Sequence, residues 1–177
     1  MMRIYSLWTT IDRPDAIIDL DDTAAVYRRL VTGVQPLRHP LGDVAFTPGD
    51  GGVAGFFRGR LAAEPVVVII DTESRAAAAE LLDDIQREQA GGVLSAAALT
   101  NRIAEDLLRL ANDVWLDDDE QITADQLRSG VTLRSLTVAP DGAFGAVFRD
   151  DADVFAGHAI EVTGTMADGA VKATISG

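Results

Sequence analysis

A chain of 177 residues with 47% hydrophobic and 24% charged side chains carries enough apolar material for one sizeable core and lies far from the composition of a disordered chain. Its net charge of -13 disfavours nucleic acid and anionic membrane surfaces as partners. The absence of cysteine excludes disulfides, thiolate catalysis and every cysteine-ligated metal site. The opening MMRIYSLWTTIDRPD has neither the basic segment nor the apolar run of a secretory signal, and no apolar stretch reaches the length of a membrane span, so a cytoplasmic protein is expected.

The negative charge is unevenly placed. Residues 1–60 hold seven arginines against seven aspartates, whereas residues 61–177 hold eight bases against 21 acids. Such a field speeds encounter with a cationic partner at low salt, and it also serves simply to keep a protein soluble.

In chain order, residues 3–9 (RIYSLWT) read as a first strand, with Trp8 in its apolar pattern. Asp21 or Asp22 can cap a short helix over 23–31, because a carboxylate oxygen accepts bonds from free first-turn amides, and Gly33 ends it. The segment VQPLRHPLGD, with two prolines and a glycine, reads as a connector. It suggests one domain in which residues 1–40 form an extension packed on a main body of 41–177. His39 has no acidic neighbour in sequence and reads as a surface residue.

Residues 44–47 and 53–61 flank PGDGG, whose glycines permit a tight reversal, and so predict a hairpin. The β-branched run 66–70 predicts a central strand covered on both faces. Two helices follow. Over 73–90, Ala78, Leu81, Leu82 and Ile85 recur at helical spacing; over 95–114, Ile103, Leu107, Leu110, Ala111 and Val114 form one stripe. Their separation by Gly91 and Gly92 predicts an antiparallel pair against the sheet. Thr123 and Gln126 form a capping-box pattern for a brief third helix that Gly130 terminates.

The remainder is β structure over 131–138, 143–149, 158–165 and 169–175, turned by Pro140-Asp141-Gly142 and Ala167-Asp168-Gly169. Alternation assigns Phe144, Ala146 and Phe148, then His158, Ile160 and Val162, then Val171, Ala173 and Ile175 to buried faces. The predicted class is α+β. It has an N-terminal strand-helix and hairpin, a middle helix pair and a C-terminal four-stranded antiparallel meander.

The order LANDVWL, an acidic run, ITADQLRSGVTLRSLTVAPDG and FRDDADVFAGHAIEVTG resembles a bacterial family catalogued as domain of unknown function 2262. The resemblance covers roughly residues 41–177 and is clearest from Leu110 onward, where the Asp141-Gly142 turn, the Asp150-Asp151 pair and the Gly157-His158 dipeptide coincide with the family pattern. GFFRGRL and the apolar strand after it also fit. Where the family tends to carry a second aromatic just before Gly-His, this chain departs from the pattern with Ala156. The resemblance implies a shared fold and brings no activity or cofactor with it.

Two clusters could carry chemistry. Asp150, Asp151, Asp153 and His158 could bind a divalent metal or act as acid and base if their side chains converged; the competing account is that loop aspartates hold turns and His158 anchors the loop through a carboxylate. Asp117, Asp118, Asp119 and Glu120, beside Trp115, could steer and anchor an arginine- or lysine-rich partner; the competing account is a solvated loop with Trp115 turned into the core. This run lacks the alternate oxygens, bend glycine and distal glutamate of a calcium loop. No nucleophile elbow is present, and GDGG at 49–52 lies between strands, where it cannot cradle a phosphate at a helix start.

These features favour a non-catalytic acidic protein-binding domain without a cofactor or metal. It would be an immunity-type or inhibitor protein that neutralises a basic toxin or enzyme. The alternative is a small metal-dependent enzyme using Asp150, Asp151, Asp153 and His158. An exposed edge of the meander would also allow a homodimer.

Overall fold

A computed structural model describes residues 35–49, 54–117 and 119–176. The strand expected at 3–9 with Trp8, the helix expected at 23–31 with its cap, residues 50–53 of the hairpin turn, and Asp118 lie outside them.

The described strands are β1 (Val44–Thr47), β2 (Phe56–Arg60), β3 (Val67–Ile70), β4 (Val131–Val138), β5 (Ala143–Asp150), β6 (Ala159–Thr165) and β7 (Gly169–Ser176). Between β3 and β4 come α1 (Arg75–Gln89), α2 (Ala96–Leu110), a π-helical turn (Ala111–Trp115) and α3 (Ala124–Ser129). The seven strands form one sheet in chain order. Every neighbouring pair is antiparallel except β3 and β4, which are parallel. Parallel neighbours cannot be joined by a tight turn, so the whole helical section serves as their crossover. The class is α+β as expected, with the helices in the middle and the meander at the C-terminal end. The hairpin and the meander, read separately from the sequence, are two wings of a single sheet.

Register explains how the core is assembled. One row runs across all seven strands through Val44, Gly59, Val68, Leu136, Ala146, Val162 and Ala173. Gly59 is required in that row, because a Cβ there would lie 2.1 Å from the Asp43 carbonyl oxygen. Ile70, Val138, Phe144, Phe148 and Ile160 are buried on the same face. The helices cover it with Ala78, Leu81, Leu82 and Ile85 from α1 and Leu99, Ile103, Ala104 and Leu107 from α2. Ser74 and Ser95 cap these helices by accepting the amides of Ala77 at 3.2 Å and Ala98 at 3.3 Å. In α3 both halves of the capping box form, Gln126 N–H to Thr123 Oγ1 at 3.3 Å and Thr123 N–H to Gln126 Oε1 at 2.8 Å. Among the described residues no helix is long and apolar enough to cross a membrane.

Four expectations are corrected. In β3, Val68 and Ile70 are buried while Val67 and Ile69 are only half-buried, so burial alternates along the strand. Val171 is 60% exposed. The register steps from Thr163↔Lys172 to Gly164↔Ala170, which leaves Val171 as the unpaired residue of a bulge and breaks the alternation that would have buried it. Val114 is 69% exposed, because α2 gives way to the π turn just where the helical stripe was expected to continue, and Leu110, the last residue of α2, is 38% exposed. His39 is not a free surface residue. Its Nε2 lies 3.0 Å from Asp83 Oδ1 on α1, its Nδ1 accepts the Leu41 amide at 3.2 Å, and its side chain is only 9% exposed. The partner is 44 residues away, beyond the reach of any local pattern.

Candidate functional site

The residues singled out in the sequence lie on two segments: the C-terminal end of α2 with the loop after it, and the loop joining β5 to β6. The first is shaped by the π turn. Leu116 N–H donates to Ala111 O at 3.0 Å, a five-residue step wider than an α-helical turn. The wider turn advances each residue through a smaller angle, so Trp115 reaches the inward position that Val114 would occupy in a continued α-helix. The indole packs edge-on to Phe155 with centroids 5.8 Å apart, and to His158 at 5.5 Å. Trp115 is thus turned toward the core, and the exposed apolar side chain beside the acidic run is Val114.

The loop after the π turn is braced by one side chain. Asn112 Nδ2 donates to Ile122 O at 3.0 Å, and Asn112 Oδ1 accepts the Ile122 amide at 2.9 Å. This two-point clamp, ten residues apart in sequence, fixes both ends of the segment that carries Asp117, Asp119 and Glu120. All three acids are exposed, and none has an ion-pair partner among the described residues. Six of the eight acids in the helical section are arranged differently. Asp84, Glu105, Asp106, Asp113 and Asp125 each face an arginine three or four residues away, and Asp83 faces His39.

The β5–β6 loop is organised around Asp150, which is only 7% exposed. Its Oδ1 accepts the Ala152 amide at 3.1 Å and its Oδ2 accepts the buried Phe155 amide at 2.6 Å. The loop returns through left-handed residues, Asp153 at φ 56°, Ala156 at φ 49° and Gly157 at φ 80°. Asp151 accepts hydrogen bonds from Thr132 and Arg149. The Thr132 hydroxyl and the Arg149 guanidinium together hold its carboxyl below the usual aspartate range. Asp153 is exposed. His158 places its ring against Trp115, and among the described residues its imidazole is bonded to no carboxylate. The anchor expected through a carboxylate is in fact an aromatic contact, together with the His158 N–H bond to Phe155 O at 3.0 Å.

The structure therefore disperses Asp150, Asp151, Asp153 and His158 as chemical groups. Among the described residues no three His, Asp or Glu side chains are placed to share a metal ion. It instead joins the two segments that the sequence left apart, because Trp115 from one packs on Phe155 and His158 from the other. Sequence reasoning missed Asn112 and Phe155 and placed Val114 on the buried stripe. The LANDVW stretch offered no local signal for a π turn, and Phe155, which is fully buried, lies between two expected strands where no periodicity marks it.

Neither the curated proteins nor the solved structures contain a match to this chain. A family model does match it, over residues 66–175, from β3 through nearly all of β7. With its crossover helices, its braced acidic loop and its meander inside that span, the chain belongs to the family described as an uncharacterized protein conserved in bacteria, DUF2262.

Proposed function

We propose that this chain is a non-catalytic, cytoplasmic protein-binding domain of an immunity or inhibitor kind, which takes up a basic protein partner at the end of α2. The carrying observation is the contrast in how acids are used. Five of the eight acids in the helical section are matched by arginines, whereas Asp117, Asp119 and Glu120 stand together without a cation among the described residues, next to the 69% exposed Val114. Unneutralised acids steer a cationic surface into contact, and a neighbouring apolar side chain offers it a place to dehydrate. The Asn112 clamp lowers the entropy lost when the loop is fixed by a partner.

The alternative, a metal-dependent enzyme, would have to recruit groups already engaged. Asp150 spends both oxygens on loop amides, and Asp151 faces Arg149. Freeing either would unmake the loop that carries it.

The test uses a cationic amphipathic peptide with arginines flanking a leucine, and its association with the protein measured across a salt series. Changing Asp117, Asp119 and Glu120 to their amides should slow association and flatten its salt dependence. The same number of neutralisations at exposed Asp43, Glu64 and Asp71 should leave most of both intact. Equal losses in the two variants would reduce the effect to net charge and remove the loop as the site.

A further inference from the structure

The two ends of the sheet are closed by different means. At β1, Leu37 adds a bridge to Val44, with Leu37 N–H to Val44 O at 2.7 Å and Val44 N–H to Leu37 O at 3.0 Å. At β7 no further strand follows among the described residues, and the edge is met by a side chain. Asp106 Oδ2 on α2 accepts the Ala173 amide at 2.7 Å. Ala173 stands opposite Val162 in the β6–β7 ladder. Since its amide goes to Asp106, this is the kind of pair whose amide and carbonyl turn away from the neighbouring strand. The carboxylate therefore sits where the carbonyl of an added strand would otherwise bind.

Asp106 is itself held. Arg102, one turn earlier on α2, donates to both of its oxygens, with the Nε contact at 2.9 Å, and a second carboxylate, Glu105, draws the same guanidinium at 2.9 Å. Two further features defend the edge. The Val171 bulge interrupts the row of outward amides, and Lys172, the only lysine of the chain, is exposed beside it. Bulges and lysines are common guards of strand edges, but neither occupies a backbone donor as Asp106 does.

We propose that the Arg102–Asp106 pair is an edge guard, which fills the outward amide of β7 and so keeps that strand from pairing antiparallel with β7 of a second copy. A second copy is the fitting occupant because an antiparallel pair centred on Ala173 is self-complementary. It sets the same outward amide and carbonyl of each copy against those of the other across a two-fold axis. The guard makes the protein's oligomeric state depend on one carboxylate.

The experiment is sedimentation velocity over a concentration series for wild type, Asp106→Ala, Asp106→Asn and Arg102→Ala, with amide exchange followed at Ala173. Removing the carboxylate should tighten self-association by about tenfold or more and speed exchange at Ala173 in the monomer. Adding Val171→Lys, a second charge on the exposed bulge, should restore wild-type sedimentation. If Asp106→Ala does not fold, Asp106→Asn and Arg102→Ala decide, since each keeps an acceptor near the strand while weakening its hold. Wild-type sedimentation in all folded variants overturns the proposal. So does new association that Val171→Lys leaves unchanged.

Discussion

Replacing Asp150 by alanine tests the account of the β5–β6 loop at its centre. The carboxylate is 7% exposed and receives two amides, Ala152 at 3.1 Å and Phe155 at 2.6 Å. A hydrogen bond to a charged group contributes about 1.5–3 kcal/mol, and a buried amide left without a partner costs about 1–3 kcal/mol. The Ala152 amide belongs to an exposed residue and can turn to water, so its loss counts at the low end. The Phe155 amide lies beneath a fully buried ring and cannot. The expected loss is about 3 kcal/mol, which for a chain of this size lowers Tm by roughly 6–12 °C. Urea denaturation followed by far-ultraviolet circular dichroism measures it. Asp153→Asn serves as the control, because Asp153 is exposed and asparagine tolerates the same left-handed backbone; it should change stability by less than about 0.5 kcal/mol. An Asp150→Ala change that small, or an equal cost at Asp153, would refute the reasoning. Stabilisation of wild type by millimolar Mg²⁺ or Mn²⁺ that Asp150→Ala abolishes would move Asp150 to the metal reading.

Three further outcomes follow from the same geometry. Ala156→Gly should stabilise the protein by about 0.5–1 kcal/mol in urea denaturation, since alanine at φ 49° bears a Cβ penalty that glycine does not; a loss of stability would mean that the Ala156 methyl contributes contacts of its own. Gly59→Ala should cost about 1–3 kcal/mol, because its Cβ would strike the Asp43 carbonyl oxygen across the β1–β2 pair, and unchanged stability would contradict the register described for that pair. Asp106 gives a pH dependence. Partial burial alone would raise its carboxyl, but the hydrogen bonds from Arg102 and the Ala173 amide, with the charges of Arg102 and Lys172, outweigh this and hold it below the ordinary value. A carboxyl lowered in the folded state contributes stability in full above its unfolded pKa of about 4 and loses it as pH falls through the folded value. Urea midpoints taken from pH 7 down to pH 2.5 should therefore fall less steeply below about pH 4 in Asp106→Asn than in wild type; parallel curves would remove Asp106 from the acid response.

Much of the fold was legible because its signals are local. The Thr123–Gln126 box, the Asp-Gly turns and the 3.6-residue stripe of α1 depend on residues a few positions apart, and each forms where its pattern lies. What escaped depends on partners distant in sequence or on departures from regular geometry. The union of hairpin and meander rests on the parallel β3–β4 pair, whose strands are separated by the entire helical section. His39 finds Asp83 only once the connector lies along α1, where Arg75 also donates to the carbonyls of Gln35 at 2.6 Å and Pro36 at 3.1 Å. Val114 and Val171 were misplaced for one shared reason. A π turn and a bulge each insert one residue into a regular period, which moves an apolar side chain from the expected inside to the outside. At the candidate site the residue types were legible, but their engagement was not: a sequence shows that Asp150 and His158 are near, not that one holds amides and the other meets an indole ring.

That distinction also bears on how the acidic excess acts. Net charge is a sum, and the sum alone does not say where a partner would feel it. An aspartate three or four residues from an arginine forms a dipole, whose field falls faster with distance than that of a lone charge, so the ion-paired acids of α1, α2 and α3 contribute little beyond their own surface. Asp117, Asp119 and Glu120 lie within four residues of one another, in a turn closed by the Glu120 N–H bond to Asp117 O at 2.9 Å, with no opposing cation among the described residues. Their potentials add where those of the ion-paired helical acids are offset. The Asn112 clamp holds that sum beside Val114, so three unpaired acids of the described surface coincide with an exposed apolar side chain. Charge and apolar area placed together recognise a partner that carries both, an arginine- or lysine-bearing segment with an apolar residue among its bases. A uniformly cationic polymer would feel the field and find nothing to bury.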